Sequence, residues 1–287
     1  MAAPSRARFP RWLVAAFYPV AALVLILFFI FVGFPYDRLA LRLSQTLESR
    51  VNLRVRIGEL SPHIGLGGPG ISASQVLVKR EGSQTVAVEQ LVVRPAWSLS
   101  WFWGQPAIHL DLRSEEAVGS GTLTLGDTGG WKGILEGVPV GQLPFELLER
   151  LDIDGTLDAS VDLHLAAAEA GGELAGQVDF DLRNGSLRAE GLPVALPFER
   201  LHGRLDFGGD HYISVSTLEL QGPLLDGTIQ GNLGYADAPG AQPVSIDLAY
   251  SVHDESLAEM LSSMGSRRQG DRGQLRVTGT LANPVIR

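Results

Sequence analysis

"VSIDLAYSV", Val244 to Val252, places Val244, Ile246, Leu248, Tyr250 and Val252 at alternate positions against Ser245, Asp247, Ala249 and Ser251. A period of two with one polar side is the signature of a strand buried on one face only, which antiparallel sheets permit. The same alternation runs through the chain. "LDASVDLHL" sets Leu157, Ala159, Val161, Leu163 and Leu165 against Asp158, Ser160, Asp162 and His164. "IHLDLR" sets Ile108, Leu110 and Leu112 against His109 and Asp111, and "NLRVRIG" sets Leu53, Val55 and Ile57 against Arg54 and Arg56. From about Val51 onward, about a dozen or more such segments follow one another. A sheet that long with one apolar face must close into a barrel, fold into a sandwich or curl into a gutter.

Turn chemistry subdivides the segments. "QVDFDLRNGSLRAEG" reads as a hairpin with Asn184-Gly185 at its tip, a pair suited to the positive φ of a type I′ turn. Asp154-Gly155 and Asp226-Gly227 read as further turns. In "ISVSTLELQ" the apolar parity slips between Val215 and Leu218, which predicts a bulge near Thr217. "GVPVGQLPFE" (Gly137–Glu146) returns as "GLPVALPFE" (Gly191–Glu199), each copy followed by a short helix-like piece, "LLERL" or "RLHG". This echo predicts several-strand units joined by brief helical crossovers.

Before the strands, "LVAAFYPVAALVLILFFIFVGF" (Leu13–Phe34) is 22 residues without a charge. That length matches the roughly 30 Å hydrocarbon core of a bilayer, and Pro19 is tolerable there. Arg6, Arg8 and Arg11 precede it, so the positive-inside rule predicts a cytoplasmic tail over 1–12, a transmembrane helix over 13–34, and the rest on the far side of the membrane. "YDRLALRLSQTLESR" then repeats Tyr36, Leu39, Leu43 and Leu47 at helical spacing, which predicts an amphipathic helix over 35–50 that caps the β-rich domain of 51–287.

Composition excludes several functions. Beyond residue 34 the chain carries all 32 acids against 20 of its 23 basic residues, a net of −12. Such a domain repels a phosphate backbone, so nucleic acid is not an expected partner. Without cysteine there is neither a disulfide nor a thiolate metal site. His109 and Asp111 share a strand face, and a solvated pair accounts for them. "DIDGTLD" has its glycine too early for a calcium loop, and "IGLGGPG" lacks both the lysine and the strand-loop-helix context of a phosphate loop. No nucleophile elbow, HExxH or CxxC occurs. The expectation is therefore a protein that is not an enzyme, with no catalytic residue, cofactor or metal.

"AWSLSWFWGQP" (Ala96–Pro106) gathers Trp97, Trp101, Phe102 and Trp103 between two strands, bracketed by Pro95 and Pro106. These aromatics are expected to form a short helical crossover that plugs one end of the apolar sheet, or else to sit at a membrane interface. The apolar face itself is expected to include Val178, Phe180, Leu182, Ile213, Val215, Ile246, Leu248 and Tyr250.

The order of "GFPYDRL" (Gly33–Leu39), "LSPHIGLGGPGISASQVLV" (Leu60–Val78), "LVVRPAWSLSWFWGQP" (Leu91–Pro106) and "LQGPLLDGTIQGNL" (Leu220–Leu233) resembles type II secretion system protein N in its longer, deltaproteobacterial form. The recurring "xGxLxxxGxL" texture and the closing "LRVTGTLANPVIR" resemble the AsmA-like proteins. The second resemblance implies an inner-membrane helix followed by a periplasmic β-groove with an apolar interior. The first implies a bitopic accessory component of the secretion machine, with its domain in the bacterial periplasm. Two functions follow: a periplasmic scaffold that binds secretion partners, or a lipid-binding or lipid-transfer groove in envelope maintenance. Neither resemblance assigns a functional residue.

Overall fold

The computed structural model describes residues 11–51, 53–65, 67–80, 85–96, 104–126, 129–142, 151–165, 174–189, 195–208, 212–234, 241–255, 257–259, 267–269, 272–280 and 283–286. Two helices, α1 (Arg11–Val32) and α2 (Tyr36–Val51), precede fifteen strands. These are β1 (Leu53–Gly65), β2 (Gly68–Arg80), β3 (Val86–Pro95), β4 (Ala107–Arg113), β5 (Val118–Thr124), β6 (Gly130–Pro139), β7 (Leu151–Leu165) and β8 (Leu174–Ala189). Then come β9 (Leu196–Gly208), β10 (Tyr212–Gln221), β11 (Leu225–Gly234), β12 (Pro243–Val252), β13 (Arg267–Gln269), β14 (Arg272–Thr280) and β15 (Pro284–Ile286).

The strands form one open antiparallel sheet in which β1 to β12 neighbour one another in chain order. β14 pairs with β12, and both β13 and β15 pair with β14. The expected mainly-β architecture is thus present as a continuous meander. The crossovers expected at the two copies of the echo do not occur among the described strands of β1 to β12; only the connection from β12 to β13, with helical residues at 255 and 257–259, passes a strand, β14, that lies between them. "RLHG" of the second echo lies inside β9, not in a helix; "LLERL" of the first falls outside the described residues apart from Leu151, the first residue of β7.

Asn184-Gly185 does not turn the chain. β8 runs straight through it, and Asn184 takes its positive φ of 50° within the strand. Opposite it, Gly155 sits at φ 136° and the register slips between Asp154 and Thr156. The two pairs expected to make turns make one bulge across β7 and β8, because the conformation that suits a type I′ turn also suits a bulge. Asp226-Gly227 likewise lies within β11. The bulge expected near Thr217 is present, since β10 slips against both neighbours between Val215 and Leu218.

The amphipathic helix is α2. Tyr36, Leu39 and Ala40 pack with Leu60, Ala73, Val76 and Val88 and cover the apolar side of β1 to β3. The transmembrane helix expected over 13–34 is not shown. Among the described residues no single helix is long and apolar enough to cross a membrane. Ala21–Val32 and Tyr36–Arg42, bent by 58° from each other, satisfy that criterion only as a pair. The break has a local cause. Gly33 closes α1 by donating its N–H to Phe29 O at 2.8 Å, and Pro35 has no N–H with which to continue the helix. Tyr36 then donates its hydroxyl to Phe31 O at 2.6 Å and fixes the bend.

The core is thin. The most buried described side chains, Phe198 and Ala258, still keep 3 % exposure, as a single-layer sheet requires. Three small clusters hold the apolar face at separate places: α2 over β1 to β3, Val140 with Leu182 and Phe198, and Leu257 with Ala258 beside Tyr250 and Val252.

Candidate functional site

The register joins the alternating strands into transverse apolar rows. One row runs Val161, Val178, Leu205, Val215, Gly231, Ile246, Val277 across β7 to β12 and β14. The next runs Ala159, Phe180, Gly203, Leu218, Ile229, Leu248, Leu275, and a third runs Leu157, Leu182, Leu201, Leu220, Gly227, Tyr250, Gly273. Seven of the eight residues expected to line an apolar face fall in these rows. Ile213 lies in the neighbouring row, opposite Phe207 and Leu233. The same face continues through Leu135, Leu112, Leu91 and Ala73 to Leu60 on β1.

Between the clusters, most of these side chains are half-buried by their own row neighbours. Among the described residues, the turn at Val140–Gln142 lies on β7, and Leu257 and Ala258 pack with Tyr250, Leu248 and Leu275 at the β12–β14 end; no other described element makes extensive contact with the rows. The face is therefore a shallow apolar trough about seven strands wide, or roughly 30 Å at ~4.8 Å per strand.

Its floor is built from rings laid over glycines. A Cβ on Gly203 would sit 2.8 Å from Cζ of Phe180. The Trp131 indole covers Gly121 and Gly133, the Phe198 ring covers Gly185, and the Tyr250 ring covers Gly273. Glycine leaves room for a ring to lie along the sheet, and the ring shields backbone that glycine would expose. Alternation identifies the strands but not these pairings, which depend on register. Among the described residues of these rows, Tyr250 adds the one polar side-chain group. Its hydroxyl is buried and has no hydrogen-bond partner among the described residues.

The opposite face is a ladder of ion pairs. Arg200 holds Asp181 with Nε at 2.8 Å and Nη2 at 3.1 Å, and Arg183 reaches both Asp181 and Asp158. Arg204 pairs with Asp179 at 2.5 Å and Lys132 with Asp162 at 2.6 Å. The hydrogen bond from Arg200, reinforced by its charge and by Arg183, holds the Asp181 carboxyl below its usual range against the opposing effect of burial. Asp226 is lowered in the same sense, first by its hydrogen bond with His253.

His109 and Asp111 do meet, at 3.1 Å. Arg94 lies on the other carboxylate oxygen at 3.3 Å, and Thr122 Oγ1 lies 3.1 Å from His109 Nδ1. This chain of groups crosses an open strand face. None of the described depressions on this side is lined by it, and no group of three potential metal ligands occurs among the described residues. "IGLGGPG" forms the tip of the β1–β2 hairpin, with Gly68 at φ 100° and the Arg94 guanidinium lying against Gly67. Trp97, Trp101, Phe102 and Trp103 lie outside the described residues.

The sequence matches no protein-family model, no curated protein and no solved structure.

Proposed function

We propose that this chain is a membrane-anchored lipid-binding protein whose open apolar trough holds acyl chains. The observation that carries this reading is the continuity of apolar rows from β7 to β14 with no described element laid over their centre. Apolar area of this extent in water is unfavourable by roughly 25 cal/mol per Å², and an acyl chain laid along it recovers about 0.8 kcal/mol per methylene. The resemblance to AsmA-like proteins points the same way.

α1 supports the anchor. Leu23, Leu25, Ile26, Phe28, Phe29 and Ile30 are all exposed, so the helix is apolar around its circumference, which suits hydrocarbon surroundings. With the basic tail cytoplasmic, the sheet lies in the periplasm. The test is titration of the full chain, held in nanodiscs, with a fluorescent fatty-acyl probe. Saturable binding, weakened at least tenfold by Phe180→Asp or Leu248→Asp and unchanged by Arg204→Ala, is expected. Equal binding by all four proteins contradicts the reading.

The other reading, a scaffold of the type II secretion machine, is favoured by β1. Among the described strands this one, of 13 residues, has no partner on its outer side, so an extended segment of another protein can add there. Crosslinks from Arg54 and Arg56 to secretion components would support it. Normal export of secreted enzymes after deletion of the chain contradicts it.

A further inference from the structure

The two ends of the strands differ in chemistry. The connections β1–β2, β3–β4, β5–β6, β7–β8 and β9–β10 all fall at one end, because the sheet is a meander. Five large apolar side chains lie exposed along this rim: Ile64 (62 %), Leu125 (42 %), Leu165 (40 %), Leu174 (44 %) and Tyr212 (52 %). The register sets Leu125, Leu165 and Leu174 in one transverse line; Ile64 lies one apolar row inside it, in line with Leu123 and Leu163, and Tyr212, beside Ile213 in the chain, lies on the opposite face. Leu125 donates its N–H to Pro106 O, Leu165 donates to Gly129 O, and Leu165 faces Leu174. At the opposite rim, Val118 is the one strand-terminal residue of this kind among the described residues.

Charge follows the same division over the first three connections of each rim. The first three connections of the apolar rim, "GLGG" (65–68), "AWSLSWFWGQP" (96–106) and "LGDTG" (125–129), contain one acid and no base. The first three of the opposite rim, "EGSQT" (81–85), "SEEA" (114–117) and "VGQLPFELLER" (140–150), contain five acids and one base.

α1 leaves from the apolar side. α2 packs on β1, and its last residue, Val51, adjoins the start of β1, so its first residue, Tyr36, lies toward the Leu60 end of that strand. α1 continues backward from there, with a bend of 58°. The rim nearest α1 therefore extends the apolar surface of the helix onto the sheet.

We infer that the rim carrying Ile64 and Leu125 rests in the interface of the bilayer that holds α1, with the acidic rim turned to water. This rests on the reading of α1 as a membrane anchor. The contacting stretch is short. Ile64 on β1 and Leu125 just after β5 are about 20 Å apart at ~4.8 Å per strand. A twist of about 20–25° per strand carries Leu165, Leu174 and Tyr212 progressively out of the membrane plane.

The absence of native cysteine permits single spin labels at Phe28→Cys, Ile64→Cys, Leu125→Cys, Glu116→Cys and Tyr212→Cys in the full chain. The chain is reconstituted in vesicles of phosphatidylethanolamine and phosphatidylglycerol. Collision rates with oxygen, which concentrates in lipid, are compared with those of a water-soluble nickel chelate. The oxygen-to-nickel ratio is expected to be several-fold higher at 28, 64 and 125 than at 116, with 212 resembling 116. A high ratio at 28 with 64 and 125 indistinguishable from 116 overturns the rim contact and leaves the anchor. A low ratio at 28 overturns the anchor and the rim contact together.

Discussion

Asp181 is the most heavily engaged carboxylate of the polar face, held by Arg200 through two hydrogen bonds and by Arg183 through a third. Its depressed pKa makes it a source of pH-dependent stability. A carboxylate lowered in the folded state stabilises the protein above its unfolded value, near 3.9, and that contribution disappears as pH falls through the folded value. Thermal melts of the full chain in detergent should show a lower midpoint at pH 3 than at pH 6. Arg200→Ala should lower the midpoint at pH 6 only slightly, because the arginine is exposed and water screens the pair, and should shrink the pH effect. An unchanged pH effect in the variant contradicts the assignment. On the apolar face, Gly203→Val forces the Phe180 ring off the sheet and should cost about 1–3 kcal/mol in the same melts. Tyr250→Phe removes a hydroxyl that bonds to no described group and should leave stability unchanged or slightly raised.

At the scale of elements, the paired bulge of β7 and β8 shows where sequence patterns stop being informative. Asn184 and Gly155 do adopt positive φ, as Asn-Gly and Asp-Gly pairs suggest. Whether such a residue reverses the chain or bulges it depends on the partner strand, and a local pattern does not contain the partner. Gly155→Ala should cost roughly 1–2 kcal/mol, because an L side chain is strained at φ 136° and its Cβ would lie 3.0 Å from Arg183 O. A loss no larger than that of Gly141→Ala, an exposed glycine with an ordinary contact, contradicts this account. The break between α1 and α2 falls where the sequence reading divides 13–34 from 35–50; its 58° bend was not legible, because it depends on Gly33, Pro35 and the Tyr36 hydroxyl together. Strict alternation, by contrast, made the faces of β4, β7 and β12 legible residue by residue, since a slip of one position would put Asp247 or Asp162 on the apolar side.

For the whole molecule, the choice left open by alternation among barrel, sandwich and gutter is settled as an open single sheet with β1 at one edge. Sequence patterns could not make that choice, because closure depends on whether the first and last strands meet. Nor could they reveal the glycines beneath Phe180, Trp131 and Tyr250, which register alone brings under the rings. Under the proposed function, the apolar trough meets lipid and the ion-paired face meets water. Photocrosslinking in cells tests it most directly, with a photoreactive residue at Phe180 or Leu248 on the trough and at Asp179 or Asp247 on the reverse. The account predicts lipid adducts, identified by mass, from 180 and 248 and none from 179 and 247. Protein adducts from all four positions, with no lipid from 180 or 248, would contradict it.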